Sequence, residues 1–131
     1  MLAFEASSLV VETDSGAHPF TVELAISPDE RGRGLMFRQS MDSDAGMLFD
    51  FGVDDVVTMW MKNTYISLDM VFIEADGTVY RIARDTTPFS TEIVSSKGPV
   101  RAVLELNAGT ADSIGLKRGD VVRHTMFGNA E

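Results

Sequence analysis

The stretch LDMVFIEADGTVYRIARD, residues 68–85, decides the fold. Its two halves are rich in β-branched and aromatic residues and flank Asp76-Gly77, a dipeptide suited to the positive φ angles of a two-residue type I′ turn. The pattern predicts a β-hairpin. A two-residue turn pairs Ala75 with Thr78, Ile73 with Tyr80, Val71 with Ile82 and Asp69 with Arg84. A bulged turn instead puts Asp69 opposite Ala83 and diagonal to Arg81. Either register brings an arginine to Asp69, so a structural ion pair is the expected partnership.

The same period-2 alternation runs through the rest of the chain, in short segments divided by turn residues. Strands are expected at 9–13, 20–26, 47–51, 56–62, 68–74, 78–84, 100–107 and 120–126, with DSGAHP at 14–19 as a turn or loop. Two helical pieces interrupt them. Ser27 is an N-cap followed by Pro28 at the first helical position, and Glu30 closes a capping box. Farther on, Thr110 is the expected cap and Gly115 the left-handed stop of a helix of about two turns. The fold class predicted is mainly β: one domain over residues 1–131, a sandwich or barrel of about seven to nine strands with two short helices.

Composition narrows the partners. The 131 residues carry 20 acidic and 11 basic side chains, a net charge of −9. That opposes a nucleic-acid partner, which needs a basic surface, and opposes adsorption to anionic lipid. No apolar run approaches the ~18 residues that span a bilayer, so no membrane insertion is expected. The start, MLAFEASSLV, lacks the basic and apolar regions of a signal peptide. With no cysteine, disulfides, thiolate metal sites and cysteine nucleophiles are excluded.

Several motifs stand together: GLMFR (34–38), GMLFDF (46–51), WMKNTYISLDMVFI (60–73), LELNAG (104–109) and GLKRGD (115–120). In order and spacing they resemble a small bacterial and archaeal family catalogued as domain of unknown function 192, over about residues 20–126. The resemblance implies a mainly β fold. Many members carry a signal peptide or lipoprotein leader, which implies a cell-envelope setting, periplasmic or otherwise outside the cytoplasm. No activity carries over, because the family has none established. The residues that match its polar signature are Arg38, Lys62, Asn63, Asp69 and Glu105.

Each candidate has a plainer reading beside it. Arg31 and Arg38 share a face if the Ser27 helix runs far enough, and would then clamp an anion; otherwise they pair with acids on the surface. Asp69 and Glu105 have apolar neighbours, which raises a carboxyl pKa unless a cation or hydrogen bond opposes it. Two such acids across a cleft could run glycoside-type acid–base chemistry, against a structural role for Asp69. In an extended 56–62, Thr58, Trp60 and Lys62 face one way. Trp60 beside Lys62, Asn63 and Asp69 is the makings of a sugar-binding surface; alternatively Trp60 is core and Lys62-Asn63-Thr64 begins a turn. The eight methionines suggest Cu(I) only if several sulfurs converge, and at strand positions they are more simply core. The Asp-rich 42–55 lacks the calcium-loop ligands at Gly46 and Val53. No phosphate loop or serine-nucleophile motif is present, and no metal or cofactor is expected.

The leading functional expectation is a non-enzymatic cell-envelope module that holds a small polar ligand or glycan near Trp60, using Arg38, Trp60, Lys62, Asn63, Asp69 and Glu105. The alternatives are a hydrolase with Asp69 and Glu105 as paired carboxylates, and a structural or protein-interaction module.

Overall fold

Alternation along the strands buries both faces of one sheet. In the computed structural model, which describes residues 3–130, the elements are β1 (Glu5–Thr13), β2 (Gly16–Ala25), α1 (Pro28–Arg33), β3 (Ala45–Met59), β4 (Leu68–Ile73), β5 (Val79–Ala83), β6 (Val94–Asn107), α2 (Thr110–Ser113) and β7 (Val121–Arg123). They build one seven-stranded sheet in the order β5-β4-β6-β3-β2-β1-β7, curled into a half-barrel. The mainly β architecture of seven strands with two short helices agrees with the sequence reading, while the sheet forms a half-barrel rather than a sandwich or closed barrel. Neighbours pair antiparallel except β2 and β3, which run parallel because α1 and the segment after it carry the chain across.

Several boundaries differ from the expected elements: β1 and β2 begin at Glu5 and Gly16, so of the expected 14–19 loop only Asp14 and Ser15 lie outside the strands, and β7 ends at Arg123, before a short 3₁₀ turn over Thr125–Phe127. The strands expected at 47–51 and 56–62 are one strand, β3, irregular between Asp50 and Thr58 and ending at Met59. Its partner β6 also begins earlier than expected, at Val94. Along β4, Val71 and Ile73 enter one core with Leu9, Val22, Leu104 and Phe127; Met70 and Phe72 enter the other with Leu35, Met47, Phe49 and Met61. The sheet is the partition between two apolar cores.

The hairpin forms, with a different turn. Gly77 donates to the Glu74 carbonyl at 2.9 Å, so Glu74–Gly77 is a four-residue turn, and Tyr80 bulges out between Phe72–Arg81 and Ile73–Val79 pairing. The bulge restores the expected Val71–Ile82 pair. Gly77 is required here twice. Its φ is +95°, and a Cβ would lie 2.5 Å from the Val122 carbonyl, whose N–H bonds the Gly77 oxygen at 2.8 Å. Together with the Thr78–Val121 bridge, this contact brings the two edges of the sheet against each other at one corner.

Asp69 corrects the expected ion pair. Its Oδ1 accepts the N–H of Asp85 at 2.9 Å; its Oδ2 accepts those of Gly109 at 3.1 Å and Ala111 at 2.9 Å. Arg84 instead reaches Asp112 at 3.0 Å and the Leu116 carbonyl at 2.9 Å. Both residues therefore grip α2, Asp69 at its start and Arg84 farther along. The expected cap also changes: Thr110 lies inside α2, no local side chain caps it, and the carboxylate from β4 accepts the N–H groups of Gly109 and Ala111 at its start. Gly115 does adopt the left-handed conformation expected after the helix, with φ +69°.

Replacing Asp69 by Asn keeps the shape and puts an amide N–H₂ against a backbone donor. With Asp69 only 1% exposed, Asp69→Asn should lower the free energy of unfolding by about 3 kcal/mol. Urea denaturation reads this as a lower midpoint at unchanged slope; a loss under about 1 kcal/mol would mean that the three N–H groups find other acceptors.

Candidate functional site

The largest grouping of sequence-selected residues surrounds a cleft of about 250 Å³ on the Met47–Phe49 side of the sheet. Local sequence builds each wall. The capping box forms as read: Ser27 Oγ accepts the Glu30 N–H at 3.1 Å and Glu30 Oε1 accepts the Ser27 N–H at 3.0 Å. Helix α1 stops at Gly34, whose φ is +48° and whose Cα faces Phe49 closely enough to leave little room for a side chain. The turn that follows carries Leu35 into the core and Met36 to the cleft.

The opposite wall is the break after β3. Asn63 sits at φ +56°, a conformation Asn tolerates, and Thr64 Oγ1 donates to the Lys62 carbonyl at 3.0 Å. The Phe37 N–H donates to the Asn63 carbonyl at 2.8 Å and ties the two walls together. Trp60 is 43% exposed, and the Lys62 ammonium lies 5.1 Å from its ring centroid. The core reading of Trp60 is thereby set aside.

Glu105 lines the cleft from β6. It stands opposite Met47 on β3 and Met70 on β4, so it points into the apolar face that holds Phe49 and Leu35. The residue is 3% exposed, and among the described residues its carboxyl has no hydrogen-bond or ion-pair partner. Burial alone pushes that carboxyl up to about 8, so at neutral pH it is chiefly the protonated acid, able to donate and accept.

Of the six candidates, Trp60, Lys62 and Glu105 line the cleft. The other three do not. Arg38 lies beyond the end of α1, so the proposed shared face with Arg31 does not exist; it forms a two-pronged ion pair with Glu23 and lies over the Phe4 ring at 5.6 Å. Asn63 shapes the wall through its backbone. Asp69 pairs with Leu106, the neighbour of Glu105, and so lies on the other face of the sheet. The paired-carboxylate geometry is absent.

Arg31, Arg33, Phe51, Thr58 and Thr64 also line the cleft. Arg31 lies 5.4 Å from the Phe51 ring centroid, and its NH1 bonds the carbonyls of Ile26 and, at 3.3 Å, Asp50. The sequence marked Arg31 for the wrong partnership. Arg33 and Phe51 carried no signal that separates them from ordinary surface residues.

Elsewhere, Ser7 Oγ is 2.8 Å from His124 Nε2. His124 Nδ1 accepts the Met126 N–H at 3.0 Å, so in the neutral ring, which burial favours, the proton sits on Nε2 and points at Ser7. This tautomer cannot take a proton from the serine. Met47, Met61 and Met70 are core, and Met36 and Met59 line the cleft. Among the described residues no group of three His, Cys, Asp or Glu could hold a metal.

The model for the family described as an uncharacterised ACR, domain of unknown function 192, matches residues 9–124. The chain belongs to this family. A crystal structure from Sinorhizobium meliloti 1021, described as a "putative transcription regulator", is 46% identical; the match covers 96% of this chain and 98% of that one, with a TM-score of 0.93. A protein of unknown function from Novosphingobium aromaticivorans DSM 12444 is 38% identical over 92% of this chain and 86% of that one, with a TM-score of 0.90. No curated protein matches the chain.

The buried acid has a stability signature. The folded state keeps a proton on Glu105 that the unfolded chain releases near 4.5, so stability is highest below that pH and falls until about pH 8. The loss should reach roughly 3 kcal/mol at pH 7, and Glu105→Gln should remove it. Thermal melts of both proteins from pH 4.5 to 9 test this: the wild-type Tm should fall relative to the variant, and parallel curves would contradict an unpartnered buried acid.

Proposed function

We propose that this domain is a non-enzymatic binding module that takes a small polar ligand of the glycan type in the cleft beside Trp60. One observation supports the reading above the rest: a carboxyl group buried at 3% exposure in a cleft wall, with no protein partner among the described residues. The carboxyl meets the cleft rather than a protein partner, so a ligand hydroxyl or carbonyl that bonds it would take the place of water there. An exposed indole at the rim, with apolar walls between, is the usual complement to a hydroxylated ring. The cell-envelope setting enters as part of the proposal, from the family resemblance alone.

Other readings have less behind them. A glycoside-type hydrolase needs two carboxyl groups facing one space, and Glu105 lines the cleft without Asp69. Nothing favours carrying the regulator description over to this chain. Its helices α1 and α2 have six and four residues, short for a helix that reads a groove, and its charge is −9.

Thermal shift and calorimetry against mono- and disaccharides test the reading. A ligand at 100 times its Kd should add about 2.7 kcal/mol to stability. Trp60→Ala and Glu105→Gln should each lower affinity tenfold or more, judged on the ligand-dependent shift so that their own stability changes cancel. Flat melts across the panel at millimolar sugar, or binding indifferent to both substitutions, would overturn it.

A further inference from the structure

Around the mouth of this cleft, three loops from separate parts of the chain are stitched into one surface. Phe37 N–H bonds the Asn63 carbonyl at 2.8 Å, Phe89 N–H bonds the Thr64 carbonyl at 3.1 Å, and Met61 N–H bonds the Ser90 carbonyl at 2.9 Å. That surface displays Phe37 at 52% exposure, Trp60 at 43%, Tyr65 at 44% and Phe89 at 54%, with the Tyr65 and Phe89 rings edge to face at 4.8 Å.

The backbone beneath two of these rings is strained. Phe37 and Phe89 adopt φ of +68° and +66°, a region that costs a side-chain-bearing residue about 1–2 kcal/mol. Strain of this kind persists only where the surroundings enforce it, and here the enforcing bonds hold the rings outward in water.

Charge sorts the same way. Arg38, Arg84, Arg101, Lys117 and Arg123 all pair with carboxylates. Among the described residues six cations form no ion pair, although acids outnumber bases 20 to 11; Arg31, Arg33 and Lys62 line the cleft, while Arg81, Lys97 and Arg118 lie outside its lining. Two of the cleft cations lie on the exposed rings: Lys62 over Trp60 and Arg33 over Phe37, both at 5.1 Å. The acid among the cleft residues is Glu105, which burial keeps protonated at neutral pH. The cleft and its rim are therefore a cationic, aromatic surface on an acidic molecule. At about 250 Å³ the cleft is smaller than the ~300–1,000 Å³ of sites that enclose a drug-sized ligand, so a longer ligand would continue outside it.

We propose that the ligand is an acidic oligosaccharide, a chain of uronic acid residues: one sugar sits over Glu105 between Trp60 and the end of α1, and the rest lies along Phe37, Tyr65 and Phe89. Carboxylates on the sugar rings replace the missing partners of Arg33 and Lys62, and the ring faces cover the exposed aromatics. This rests on the glycan reading above and adds two requirements to it, negative charge and length.

Calorimetry with the whole chain separates the two levels. The probes are galacturonate, glucuronate and mannuronate as monomers and tetramers, the neutral tetramers of glucose and galactose, and a short polyglutamate of matched charge. At least one acidic tetramer should bind tenfold or more tightly than its monomer and than either neutral tetramer. That advantage should shrink severalfold between 20 and 200 mM salt. Phe89→Ala, distant from the cleft lining, should weaken the tetramer and leave the monomer unchanged. Lys62→Met should abolish the preference for acid over neutral sugar. Neutral tetramers that bind as tightly as acidic ones overturn this inference and leave the glycan reading standing. Polyglutamate that binds as tightly as the acidic sugars identifies an acidic polypeptide instead and overturns the inference. Silence from every saccharide removes both readings.

Discussion

The carboxylate of Asp69 is the constraint on which the rest of the structure depends. Three backbone N–H groups from two distant segments converge on its two oxygens: Asp85 after the hairpin, and Gly109 and Ala111 at the start of α2. The bond to Ala111 is buried, so its N–H needs this acceptor, while those of Asp85 and Gly109 lie nearer the surface. A single side chain thereby fixes where β5 ends and where α2 begins. Arg84 completes the fixation on the far side of α2 through Asp112 and Leu116. Ile114 and Leu116 then lie against the core that β1, β2 and β7 share, so the grip on α2 also positions the other edge of the sheet.

Because Asp69 anchors one face, the period of two assigns its neighbour Met70, and opposite it Glu105, to the other. The two acids are close in the sheet and unlike in circumstance. Asp69 is buried with three donors, whereas Glu105 is buried with none, and a site without donors or cations favours the neutral acid. An acid in Glu105's position destabilises the fold above its ordinary range, and an apolar residue of similar size would fill the space at less cost. The retained carboxyl lines a cleft of the folded chain, which is where a polar group unexplained by packing points to a ligand.

How much of this the sequence showed depends on whether the partner lay nearby in the chain. The capping box at Ser27–Glu30, the β4–β5 hairpin and the break at Lys62-Asn63-Thr64 are contacts within a few residues, and all three formed where read. Asp69 was correctly singled out as structural, but given an arginine. Its true partners are backbone donors up to 42 residues away, and backbone donors have no signature in a sequence. For Arg38 the plainer reading holds: two glycines within three positions end α1 before it, and it pairs with Glu23 on the previous strand. Trp60, Lys62 and Glu105 were grouped by residue type, and the sheet does bring them to one cleft. Arg33 and Phe51 needed the fold, since neither is unusual for its segment.

The ion pairs of the described residues belong to the scaffold, and the cations that line the cleft form none. Arg101 with Asp50 joins β6 to β3, Arg123 with Glu12 joins β7 to β1, and Lys117 with Asp120 closes the turn before β7. The first two tie strands that are already hydrogen-bonded neighbours, and at partly exposed sites each pair contributes at most about 1 kcal/mol. They hold register more than they hold stability. Lys62 and Arg33 form no ion pair among the described residues: they rest on rings that face solvent, Lys62 in the break after β3 and Arg33 at the last position of α1. Removing their charge should therefore leave the sheet intact, so that any effect of such a substitution reports on what the cleft receives.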